Sequence, residues 1–75
     1  TADPQLLLDR LAKEEEGKGN INRIDGVKID FSDRWVHVRR SNTEPIIRIY
    51  TEAPTQEQAA SLANEYKQLI SSYLG

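Results

Sequence analysis

Seventy-five residues without a cysteine make one small domain, with no disulfide staple and no thiolate metal site to supplement a thin core. No apolar run is long enough to span a bilayer, and no signal-peptide pattern opens the chain. The net charge of −2 conceals an asymmetry, because Arg34 to Arg48 holds four arginines and one glutamate (+3), which leaves −5 elsewhere. A local cationic patch on an acidic body fits a small anionic ligand; nucleic-acid modules present a broad basic face, which this chain lacks. Absence of cysteine fits a reducing compartment. Thr1 in place of an initiator Met, with no Met anywhere, leads us to expect a segment of a longer protein.

Asp3-Pro4 is a helix start, Asp able to cap and Pro favoured at the first helical position. Leu7, Leu8, Leu11 and Ala12 recur at helical spacing, and the helix is expected to run out near Glu14 to Glu16 and stop at Gly17. A loop follows to Asn20, then a short strand over 20–24. Asp25-Gly26 is a two-residue hairpin signal. Val27, Ile29 and Phe31 alternate with Lys28 and Asp30, the pattern of a half-buried strand. A tight connection at Ser32 to Arg34 leads into a strand over 35–39. Val36 and Val38 share one face there; Trp35, His37 and Arg39 share the other. After a polar loop, Ile47 and Ile49 continue the apolar face, and Arg48, Tyr50 and Glu52 the opposite one. Thr55 caps a last helix, with Gln58 at the capping-box position. Ala59, Leu62, Ala63, Tyr66, Leu69, Ile70, Tyr73 and Leu74 form its apolar stripe. Two helices with an antiparallel sheet between them make an α+β two-layer domain.

The loop carries the chemistry. If Val38 pairs with Ile49, Arg39 sits opposite Arg48, and like charges directly opposite in a sheet are destabilising. An anion between the two guanidiniums would relieve this. Arginine's fork of donors suits phosphate, and the hydroxyls of Ser41 and Thr43 could complete the shell. The alternative is an arginine-decorated hairpin whose charges point into water. Other candidates carry less. Consecutive helical carboxylates at Glu14, Glu15 and Glu16 point in different directions, so they read as a solvated face. Gly17-Lys18-Gly19 lacks the spacing and hydroxyl of a P-loop. His37 has no paired carboxylate in view, and Trp35 reads as packing at a sheet edge or against a neighbouring domain.

Arg39-Arg40-Ser41-Asn42-Thr43-Glu44-Pro45, followed by Arg48 and by Glu52-Ala53, resembles the C-terminal phosphate-binding loop of the α-D-phosphohexomutases, that is, the phosphoglucomutases, phosphomannomutases and phosphoglucosamine mutases. The lead-in, Asp25-Gly26-Val27-Lys28 with Trp35-Val36, is similar to the same family's hairpin. The likeness extends from Asp25 to the final helix.

The resemblance implies that residues 1–75 are the single phosphate-binding C-terminal domain of a larger multidomain, cytoplasmic enzyme. Such enzymes interconvert hexose 1-phosphates and 6-phosphates by intramolecular phosphoryl transfer. A phosphoserine on the first domain donates and recovers the phosphoryl group, an aspartate-bound Mg²⁺ on the second assists, and a loop on the third reads the sugar. The fourth domain holds the phosphate that is not being transferred. Carried over by position, Arg39, Ser41, Asn42 and Thr43 are the implied ligands, with Arg48 supporting or joining them. Arg40 falls at a variable place, and Glu44 and Pro45 shape the loop. Asn42 in place of glycine leans the likeness toward the glucose and mannose enzymes. The implied fold is a TATA-binding-protein-like two-layer domain, a four-stranded antiparallel sheet with helices on one face. The opposite face and the loop would look into the active-site cleft. Expected partners are hexose phosphate and bisphosphate and the other three domains, with no nucleic acid and no membrane. No metal or cofactor is expected in this domain, and the isolated domain should be an inert monomer. A rival assignment is a free-standing anion-binding module for RNA or phosphopeptide built on the same arginines.

Overall fold

A computed structural model describes residues 4–41 and 46–74. The element order is α1 (Pro4–Glu14), β1 (Asn20–Asn22), β2 (Val27–Asp30), β3 (Trp35–Arg40), β4 (Ile47–Glu52) and α2 (Gln56–Leu74). The strands form one four-stranded sheet in the order β1-β2-β3-β4, every neighbouring pair antiparallel.

Period-two alternation decides which face is covered. Val27, Ile29, Val36 and Val38 are fully buried and cluster with Leu7, Leu8, Leu11 and Ala12 of α1 and with Leu62, Tyr66 and Ile70 of α2. Both helices therefore lie on one face of the sheet. Ile21, Phe31, Ile47, Ile49, Leu69 and Tyr73 pack around this core, partly buried. The other face carries Lys28, Asp30, Trp35, His37, Arg39, Arg48, Tyr50 and Glu52, none of which is buried. The α+β two-layer sandwich expected from the sequence is the fold.

Local chemistry explains the ends of the elements. At the start of α2 the Gln58 N–H donates to Thr55 Oγ1 at 3.1 Å, and the Ala59 N–H donates to the Thr55 carbonyl at 3.0 Å, so Thr55 satisfies donors that the first turn leaves orphaned. The helix is then tied to the sheet edge, because Thr51 Oγ1 donates to the Ala59 carbonyl at 2.8 Å. The turn between β2 and β3 closes with the Phe31 N–H donating to the Arg34 carbonyl at 2.8 Å. Gly17, with φ +91°, supplies the left-handed residue that follows α1.

Two expectations need correcting. β1 ends at Asn22 rather than Ile24, and the link to β2 is residues 23–26 rather than a two-residue turn. Asn22 is the reason: its Oδ1 accepts the Ile24 N–H at 2.9 Å, a local side-chain turn that ends the strand early, while Arg23 leaves the sheet to pair with Asp9 of α1. The second concerns Glu15, which is not part of a solvated face. It lies past the last residue of α1 and is 3% exposed, with Lys18 Nζ 2.7 Å from its Oε2.

Candidate functional site: an arginine pair at the loop end of a hairpin

The strand register places the arginines. β3 and β4 pair Val38 with Ile49, Arg39 with Arg48 and Arg40 with Ile47, the alignment expected from the sequence. The two strands are pinned just beyond the last pair, where the Ser41 N–H donates to the Ile46 carbonyl at 2.9 Å. This bond closes the base of the loop, so Ser41 sits directly above the arginine row. Asn42 and Thr43, and with them Glu44 and Pro45, lie outside the described residues.

Arg39 and Arg48 share the uncovered face, next to His37 and Tyr50, whose ring centroids are 6.3 Å apart. Arg40 has the opposite parity. It projects on the helix side and lines a cavity of about 270 Å³ with Gln5, Leu8, Arg23 and Asp25. The arginine pair and Arg40 are thus divided between the two faces.

Arg39 is not alone. Its Nη1 lies 3.4 Å from Asp25 Oδ2, in the link between β1 and β2. The backbone of that link is held against β3. The Asp25 carbonyl accepts a hydrogen bond from His37 Nε2, and a Cβ on Gly26 would come within 2.4 Å of the Val38 carbonyl and 2.9 Å of Arg39 Cα. Gly26 also has φ +71°. A side chain at this position would be strained in its dihedral and would collide with β3. Asp25 is therefore a member of the arginine site that local sequence reasoning assigns only to a turn. Arg48, in contrast, has no hydrogen-bond or ion-pair partner among the described residues.

Trp35 lies at the far end of the same face. Its Nε1–H donates to Glu52 Oε2 at 2.7 Å, and the Lys28 ammonium stands 4.9 Å over its ring. Its ring face and polar edge are both engaged within the sheet, as expected of a packing residue. Among the described residues no group of three or more His, Asp or Glu side chains is gathered to hold a metal ion, and no helix is long and apolar enough to cross a membrane.

The loop end of the hairpin has two arginines in opposed register, a hydroxyl-bearing loop and a covered back, and such a site is suited to binding an anion. Comparison with known proteins gives the class. Residues 2–69 match the phosphoglucomutase/phosphomannomutase C-terminal domain, and the chain belongs to that family. A phosphoglucomutase/phosphomannomutase of Thermococcus kodakarensis is 48% identical over 58 residues, 76% of this chain and 13% of that protein. A probable phosphoglucosamine mutase of Methanopyrus kandleri is 42% identical over 67 residues, 89% of this chain and 15% of its own length. A phosphoglucomutase of Neisseria meningitidis is 40% identical over 69 residues, 91% and 15% respectively. The chain spans roughly a seventh of the length of these relatives.

Proposed function

We propose that this chain is the domain of a phosphohexomutase that holds the phosphate not being transferred. Arg39, Ser41, Asn42, Thr43 and Arg48 are the proposed ligands, and hexose phosphate and hexose bisphosphate the bound species. The observation that carries the proposal is the register: two arginines directly opposed on a face that no helix covers, beneath a loop closed by Ser41 and Ile46. A sheet gains nothing from such a pair by itself, whereas a phosphate can accept forked hydrogen bonds from both. Phosphoryl transfer depends mainly on positioning and charge stabilisation, and fixing the distal phosphate contributes the positioning.

The chemistry itself would take place on the other three domains of a cytoplasmic parent enzyme. There a phosphoserine and an aspartate-bound Mg²⁺ are expected, and no residue of this chain is assigned to either. The rival, a free-standing module that stacks bases or binds phosphopeptides, finds less support. Stacking platforms need accessible aromatic faces, and Trp35 already carries Lys28 and Glu52, which leaves Tyr50.

A substitution series in the parent enzyme tests the proposal. A hydrogen bond to a charged group is worth about 1.5–3 kcal/mol, and each 1.4 kcal/mol is about tenfold. Arg39→Ala should therefore lower kcat/KM by roughly ten- to a hundredfold, Arg48→Ala by a similar or smaller factor, and Arg40→Ala hardly at all. Equal losses at Arg39 and Arg40 would contradict it, because the two side chains lie on opposite faces.

A further inference from the structure

Asp25 is fixed by its backbone and exposed at its carboxylate. His37 and the close approach of Gly26 to Val38 and Arg39 hold the main chain. The side chain is 61% exposed and meets Arg39 through one long contact of 3.4 Å, with no second, parallel bond. An exposed single contact of this kind is weak. A phosphate, able to accept a fork of short, charge-assisted bonds, outcompetes it for the same guanidinium. Meanwhile a second arginine, Arg48, stands opposite with no partner among the described residues.

We propose that Asp25 is the affinity-setting residue of the anion site: an internal counter-anion that neutralises Arg39 beside Arg48 when the site is empty and gives up the guanidinium when phosphate enters. The proposal rests on the phosphate-binding role argued above and adds to it a residue outside the loop. It has a distinctive consequence. Removing the Asp25 charge leaves two facing arginines uncompensated in the ligand-free domain, so that state loses stability. The same removal lets phosphate bind without displacing a competitor and without a nearby negative charge, so binding tightens. A carboxylate that merely held Arg39 in position would weaken binding and stability together when removed.

The test uses the 75-residue chain and its Asp25→Asn variant, with inorganic phosphate as probe and chloride at matched ionic strength as control. Phosphate affinity is read from amide NMR shifts and stability from thermal unfolding without phosphate. We expect phosphate to bind the variant about two- to fivefold more tightly, the effect of one solvent-screened unit charge at contact range. The midpoint of unfolding should fall by about 1–5 °C, as for loss of an exposed ion pair in a domain of this size. Asp25→Ser, uncharged but still suited to a turn, should shift both quantities in the same directions. Binding to either variant that is unchanged or weaker, while the wild-type Ser41 amide responds to phosphate, overturns the role of Asp25 and leaves the phosphate site standing. A wild-type chain with no saturable response at Arg39, Ser41 or Arg48 overturns the site itself, and Asp25's role with it.

Discussion

Glu15 is a carboxylate with almost no contact with water, flanked by the Lys18 ammonium on one side and accepting the Tyr66 hydroxyl on the other. Burial, and then that carboxylate, push the Tyr66 phenol well above its ordinary value; burial pushes Tyr73 up to about 12. Each tyrosine therefore keeps its proton longer in the folded chain than in the unfolded one. Stability from these groups is complete below pH about 10, the unfolded value, and is lost as pH rises toward the folded values. The free energy of unfolding should begin to fall above pH about 10, with a slope of up to about 1.4 kcal/mol per pH unit for each tyrosine. Tyr66→Phe should make that alkaline fall shallower, at a cost of about 1.5–3 kcal/mol at neutral pH for the lost hydrogen bond to the Glu15 carboxylate; urea unfolding at stepped pH measures both. The shared face of the two arginines was legible from the sequence, because alternation on the two flanking strands puts Val36, Val38, Ile47 and Ile49 on one side and Arg39 and Arg48 on the other; their direct opposition is set by the pairing of Val38 with Ile49. Asp25 was not legible. Beside a glycine it has a sufficient local explanation as a turn residue, and its contact with Arg39 arises only when the neighbouring hairpin folds onto β3. Glu15 is hidden from local reading for a related reason: helical geometry over Glu14 to Glu16 makes a solvated face, but the chain leaves the helix after Glu14.

At the scale of elements, the link between β1 and β2 acts as the bed of the site. It presses on β3 at Val38 and Arg39, so its conformation sets where the guanidinium starts. Gly26→Ala should cost about 1–3 kcal/mol from the left-handed backbone alone, more with the collision against the Val38 carbonyl. It should also weaken phosphate binding, because β3 must move at the residue that binds. Thermal unfolding and phosphate titration of the variant check the two effects; a stable variant with unaltered binding would show that the link is not coupled to the site. α2, by contrast, could be read directly from the sequence, since its cap and its stripe are both local in the chain. The C-terminal end of β1 could not, because the Asn22 side chain competes with the ladder for the backbone, a contest that strand periodicity does not register.

At the scale of the molecule, the sheet divides labour between its faces. One is sealed by two helices and supplies the core of a small domain with no cysteine. The other keeps its polar side chains uncovered and collects Arg39 and Arg48 at the end where the loop closes. A rigid back and an open front suit a domain that grips one end of a ligand while chemistry proceeds elsewhere. The most direct test of that role is an amide NMR titration of the 75-residue chain with inorganic phosphate, against chloride at equal ionic strength. The expected result is a saturable, selective shift of the Ser41, Asn42 and Thr43 signals, with Arg39 and Arg48 following. Stationary signals at those three residues while others move, around Trp35 or around Arg40 and Arg23, would mean that the anion binds somewhere else on this domain.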